Sequence, residues 1–370
     1  MGRSRGLHTA IGRPPAQRAH RPTSRLDSLT GLRAVAAFFV FTHHAVAYQG
    51  VTGFPAFITS ASVHGVSFFF ILSGFVLAYS ARPGDTNGRF HRRRAARILP
   101  LYWIGWLGGA ALALVGSGSH GSVAQHVPGL VLLQAWVPDE DVHTAGNSVG
   151  WSLSAEASFY LAFPFLLAGL ARFGRRGQLA ALGGALALTI LVPVVLHPSS
   201  ASDSTAYWAS YFFPLTRLLE FIAGVALALL VRGGWRVPVS FPAAAALALG
   251  AAIGANWLPF AWRLVAATVV PFTLLILTAA QRDAGGTPTV FASRPMTKLG
   301  EWSFAFYLVH LLVLQVTIAV NTRTLDLPWW VVAIGAFLGS GAVAAALCEI
   351  VEKPLERRLR GDGEGPASSR

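Results

Sequence analysis

Ten apolar stretches of about 17 to 22 residues recur along the chain, and the polar residues gather in the short segments between them. As helices rising 1.5 Å per residue, stretches of this length suit a bilayer core of about 30 Å. The pattern predicts spans at residues 30–49, 65–81, 98–116, 154–171, 179–196, 214–231, 241–257, 263–280, 302–320 and 330–349. The expected fold class is therefore all-α: a polytopic integral membrane protein with about ten transmembrane helices.

Composition supports this reading, with 54% hydrophobic and only 12% charged residues. Soluble domains carry roughly 25% charged residues. The longest piece outside the spans, residues 116–153, is too short to form a domain of its own. Residues 26–358 are thus expected to make one transmembrane domain. The tails at 1–25 and 359–370 are rich in Gly, Pro, Ser and Arg, a composition expected to be disordered.

The net charge of +13 suggests nucleic acid until the positions of the basic residues are considered. Of the 29 Lys and Arg residues, all but Arg33, Arg217, Arg263 and Arg323 fall in the tails and in alternate connecting segments. By the positive-inside rule this predicts that both termini are cytoplasmic and places the protein in the cell membrane as a multi-pass enzyme or transporter. The run from Leu29 to Tyr48 is long for a signal peptide and lacks a small-residue cleavage site, so it counts as the first span. A single cysteine, Cys348, excludes an internal disulfide.

Inside the spans lie Arg33, His44, Glu156, Arg217, Glu220 and His310. Ionisable groups at membrane depth cost several kcal/mol unless paired or hydrated, and so mark functional sites. Arg33 and His44 are eleven residues apart, which is three helical turns plus roughly 20°, so they share one face about 16 Å apart along the axis. His43 falls about 80° from that face. A snorkelling arginine and a hydrogen-bonded core histidine would explain the same spacing.

The segment RLDSLTGLRAVAAFFVFTHHA, at 25–45, resembles the opening of the membrane-bound acyltransferase 3 family, whose signature is an Arg, ten residues and a His. Further segments agree in order: SFFFILSGFVL (67–77), RRRAARILPLYW (92–103), WSLSAEASFYLAFPFL (151–166), RLLEFIAGVAL (217–227), GEWSFAFYLVHLLVL (300–314) and EKPLERRLR (352–360). The resemblance implies about ten helices and transfer of an acyl group from cytoplasmic acyl-CoA to a hydroxyl of a sugar or related acceptor. Members without a fused soluble domain modify surface polysaccharides or glycosylated secondary metabolites such as macrolides. It also implies that Arg33 is the signature arginine, that His44 is the catalytic histidine, and that Arg94 and Arg97 form the Arg-x-x-Arg element. The doubled His43 and His44 depart from the pattern and leave both imidazoles open.

Acyl transfer to an alcohol needs a base, and a neutral imidazole titrates near working pH. Direct attack is favoured over an acyl-enzyme route, because the only thiol, Cys348, lies at the cytoplasmic end of the last span. Ser73 and Tyr160 are candidate donors to the developing oxyanion. The cluster Arg89, Arg92, Arg93, Arg94 and Arg97 suits the phosphates of coenzyme A, although such a cluster also fixes topology and binds anionic lipid. Depth places Glu156 and Glu220 in the outer half with His44. Glu156 could orient that imidazole, bind an acceptor hydroxyl, or simply stabilise a helix N-terminus. Arg217 and Glu220 read as a structural ion pair, and His310 as either a core histidine or a supporting member of the site.

The catalytic set read from the sequence is His44, Glu156 and His310, with Arg33, Arg94, Arg97 and Ser73 holding the acyl-CoA co-substrate. Acetyl is the expected acyl group, no metal site is expected, and the outer segment with Trp136, Asp139, Glu140, Asp141 and His143 is a weak match to a sugar acceptor. The rival readings are a secondary transporter that uses the same buried charges and a non-catalytic membrane partner.

Overall fold

The computed structural model describes residues 26–60, 64–82, 84–115, 122–201 and 204–360. The tails expected at 1–25 and beyond Arg360 lie outside the described residues. The structure is all-helical. In chain order the helices are α1 (Asp27–Ala47), α2 (Phe54–Ser60), α3 (Gly65–Ser80), α4 (Asn87–Val115), α5 (Val123–Leu130), α6 (Glu140–His143), α7 (Trp151–Ala171) and α8 (Arg175–Leu196). They continue with α9 (Ser204–Tyr211), α10 (Pro214–Arg232), α11 (Phe241–Gly254), α12 (Val269–Ala284), α13 (Arg294–Thr324), α14 (Trp329–Leu347) and α15 (Lys353–Arg360).

Among the described residues nine helical segments are long and apolar enough to cross a membrane, and Phe241–Trp257 is a shorter apolar helix. Tertiary contacts give that shorter helix its direction. Arg232, at the end of α10, donates to the carbonyls of Ala78 and Ala81 at the end of α3. Asn256, just past α11, instead binds Phe57 and Ser60 of α2, which follows the far end of α1. The chain therefore passes from one face of the bundle to the other between 232 and 256. The ends of α1 and α12 meet on the first face, where Ser28 donates to the Asp283 carboxylate through its amide at 2.9 Å and its hydroxyl at 2.5 Å.

One expected boundary moves. Residues 82–97 read as a connecting segment, yet α4 begins at Asn87 and makes Arg89 through Arg97 helical. The run RRRAAR contains only strong helix formers. It carries Arg94 and Arg97, one turn apart, up into the bundle. Outside the spans, residues 122–150 fold as a packed cap over α4, α7 and α13. Buried Gln134 donates to the Tyr102 hydroxyl and the Gly150 carbonyl, and Asn147 donates to the Leu308 carbonyl at 2.7 Å. His143 stacks on Phe212 with ring centroids 4.2 Å apart, and its burial lowers its proton affinity below the ordinary imidazole value.

Two apolar clusters make up the core. One is built mainly from α3, α7, α8, α10 and α12, the other mainly from α1, α4, α13 and α14. In the first, α3 and α10 touch backbone to backbone: a methyl at Gly74 would overlap the Phe221 carbonyl, and one at Gly224 would overlap that of Ile71. Small residues allow this approach where lipid offers no hydrophobic drive for helix association. Phe69 and Tyr160 pack against both clusters, and the seam they mark holds the candidate site.

Candidate active site

A cavity of about 130 Å³ opens at the seam, and its walls include Arg33, Ser73, Arg94, Arg97, Glu156 and Tyr160. Five helices, α1, α3, α4, α7 and α13, each contribute side chains. The four residues singled out for donor binding, Arg33, Ser73, Arg94 and Arg97, thus meet in one place together with Glu156. Arg97 leans on the last helices, with its Nε 3.6 Å from Glu352 and 3.8 Å from Glu356. Arg94 packs its guanidinium 5.9 Å from the Phe90 ring, and its buried Nε has no hydrogen-bond partner among the described residues. A buried donor without a partner in a cationic cavity is suited to an anionic ligand.

Glu156 departs from the expected arrangement. Sequence depth grouped it with His44, but α7 packs on α3 and α4, and this turns Glu156 into the arginine-lined cavity. Its carboxylate accepts a hydrogen bond from Ser73 at 2.7 Å and another from the Tyr160 hydroxyl. Both hydroxyls weighed as oxyanion donors are therefore committed to this carboxylate. Glu220, also placed with His44 by depth, pairs instead with Arg217 at 3.1 Å, and both are fully buried. Arg217 donates to Ser67 and lies 5.1 Å from the rings of Phe70 and Tyr211.

The partner of His44 is His310. His44 Nδ1 lies 3.0 Å from His310 Nε2, and His310 Nδ1 lies 2.8 Å from the Tyr307 carbonyl. These contacts assign the tautomers of a neutral pair. Because a carbonyl only accepts, the His310 proton sits on Nδ1 and its Nε2 is an acceptor. His44 must then donate from Nδ1, which leaves its Nε2 as the basic nitrogen. His310 is fully buried, stacked on Phe306 with centroids 5.8 Å apart, whereas His44 is half-buried. The helical-wheel preference for His44 over His43 matches this geometry, since it is His44 that reaches α13.

Tyr307 joins the two sets. Its ring lines the cavity, its hydroxyl is 2.8 Å from Ser152, and its carbonyl holds His310. Tyr307 is not among the candidate site residues read from the sequence, although its spacing of three from His310 was the available signal. Glu352, in the segment EKPLERRLR, is buried against Arg97. No group of three or more His, Cys, Asp or Glu residues placed to hold a metal occurs among the described residues.

The chain is 39% identical over 309 residues to "Acyltransferase MdmB" of Streptomyces mycarofaciens, covering 79% of each. It is 29% identical over 302 residues to "Exopolysaccharide production protein ExoZ" of Rhizobium meliloti (strain 1021), covering 80% of this chain and 90% of that protein. No solved structure matches. Residues 26–349 match the acyltransferase 3 family model, described as an acyltransferase domain, and the chain therefore belongs to that family of membrane acyltransferases.

Proposed function

We propose that the protein transfers a short acyl group, acetyl foremost, from cytoplasmic acyl-CoA to a hydroxyl of a carbohydrate or glycosylated acceptor. The observation that carries this reading is the oriented His44–His310 pair joined through Tyr307 to a cavity bearing three arginines. The exopolysaccharide role in the name of ExoZ supports a carbohydrate acceptor. The basic connecting segments support a cytoplasmic location for the cavity's arginine end.

In this reading Arg33, Arg94 and Arg97 hold the phosphates or the polar stem of the donor, with Glu156 keeping Ser73 and Tyr160 in place beside the stem. The acceptor hydroxyl attacks the thioester carbonyl while His44 Nε2 takes its proton. His44 is then an imidazolium whose Nδ1 proton is shared with His310, so the new charge is spread over two rings in a dry site. As the carbon–sulfur bond breaks, the His44 proton passes to the departing thiolate. Free coenzyme A and the acyl ester leave, and the pair returns to its neutral tautomers.

The test is His44→Ala in purified protein reconstituted in lipid nanodiscs, with coenzyme A release measured in the presence of acceptor. General-base loss predicts a fall in turnover of about 10³-fold, with helicity and insertion retained. An undiminished rate refutes the assignment, and acyl-CoA-independent flux of solute in sealed vesicles would favour a transporter instead.

A further inference from the structure

We infer that Phe69 sets the largest acyl group this enzyme transfers, an inference that rests on the acyltransfer reading above. The cavity carries its charged side chains at one end and most of its aromatic ones at the other. Helix direction orders its lining: α3 and α7 run toward the arginine end, and α13 runs away from it. On α3 the lining residues pass from Leu77 and Ser73 to Phe70, Phe69 and Val66, and on α7 from Glu156 to Leu153. On α13 they pass from Phe304 to Tyr307, with His310 about one turn beyond. The end nearest the histidine pair is thus lined by Val66, Phe69, Phe70, Ser152, Leu153 and Tyr307, with the Ser152 hydroxyl bonded to that of Tyr307.

A thioester entering from the arginine end presents its acyl chain to this wall. Two of the rings there are fixed by other bonds. Tyr307 is held through its hydroxyl by Ser152 at 2.8 Å, and the Val149 carbonyl lies 3.3 Å away. Phe70 lies 5.1 Å from the Arg217 guanidinium and meets Phe159 and Trp151 edge to face. Phe69 has no polar tie and meets Tyr307 edge-on at 6.0 Å. It is also only half-buried and lies at the seam between the two apolar clusters. Its ring is therefore the part of the wall that substitution changes without breaking a hydrogen bond or cation–π contact of the site. A well-packed wall discriminates single methylenes by about 10- to 200-fold, which is enough to set chain length.

The experiment compares wild type, Phe69→Leu and Phe69→Ala in nanodiscs, with acetyl-, butyryl- and hexanoyl-CoA as donors and methyl β-D-glucopyranoside as a simple hydroxyl acceptor. Ester products are read by mass spectrometry and coenzyme A release by thiol titration. The expected result is a hexanoyl-to-acetyl turnover ratio that rises at least about tenfold in Phe69→Ala and by less in Phe69→Leu. An unchanged ratio in both variants overturns the inference while leaving acyl transfer standing. Loss of all three donors in both variants, with coenzyme A binding retained, also overturns it, because the ring would then serve transfer itself. Absence of acetyl transfer to any hydroxyl by the wild type would instead sink the underlying reading.

Discussion

The two halves of the site solve opposite electrostatic problems. At the arginine end three cations share a small cavity, and the carboxylates of Glu156 and Glu352 stand beside them. At the other end no carboxylate among the described residues stands beside the hydrogen-bonded His44–His310 pair, and His310 is packed among Phe41, Phe306 and Tyr307. A low-dielectric setting penalises standing charge but strengthens the interactions of a charge that forms in the transition state. The first region is thus built to hold charge that arrives with a ligand, the second to receive charge created during reaction. Tyr307 joins them, through a ring in one and a carbonyl in the other.

The strongest way to break this contrast is to remove the proton partner of His44. His310→Ala leaves the His44 tautomer unspecified and its imidazolium unshared, and turnover should fall by about 10²-fold or more while the KM for acyl-CoA changes little. His310→Gln offers an acceptor oxygen to His44 Nδ1 and should recover part of the loss. Steady-state kinetics in nanodiscs checks both variants. A raised KM with unchanged kcat would mean that the pair belongs to binding and that the division is wrong.

The converse variant is Arg97→Ala, which removes a cation from the binding half. A charge-assisted hydrogen bond to phosphate or carbonyl is worth about 1.5–3 kcal/mol, so KM for acyl-CoA should rise roughly 10- to 100-fold. If binding and chemistry are separate, kcat at saturation stays within a few fold. Arg97→Lys should recover only part of the affinity, because an ammonium lacks the guanidinium fork. Isothermal titration with coenzyme A gives the binding change directly.

Much of this division was legible in the sequence because helices translate spacing into direction. The eleven-residue interval put Arg33 and His44 on one face, and apolar run lengths gave the spans. Depth along a helix, however, does not say which neighbour a side chain meets. Spacing alone put Glu156 and Glu220 at outer depths with His44, yet Glu156 lines the cavity with Arg33, Arg94 and Arg97, and Glu220 pairs with Arg217. The His44–His310 bond joins residues 266 positions apart, and no local pattern encodes it. The helical start of α4 was missed for a different reason: a basic run reads as a loop in a hydropathy profile even when its residues favour helix.

Glu352 sharpens the contrast most finely. It reaches Arg97 because the five residues Cys348–Glu352 form a π-helical turn at the end of α14, which shifts the register of the side chains that follow. The neighbouring Glu349 bonds Lys298 and Lys353 instead, each at 2.7 Å. Glu352 is buried, with its Oε1 3.6 Å from the Arg97 Nε. If the carboxylate is the resting counter-charge of the binding half, Glu352→Gln removes one of the two carboxylates beside Arg97 and leaves more of its charge for the ligand's phosphates to offset. Removing one partner of a buried pair costs up to about 3–5 kcal/mol, and the one-third exposure of Arg97 should reduce this to about 1 kcal/mol. The variant should therefore melt a few degrees lower than wild type without coenzyme A, and saturating coenzyme A should narrow the gap by linkage. Thermal melts with and without coenzyme A measure both terms. Equal stabilisation of the two proteins by coenzyme A would show that Glu352 does not balance the charge of Arg97, and the electrostatic half of the comparison would fail.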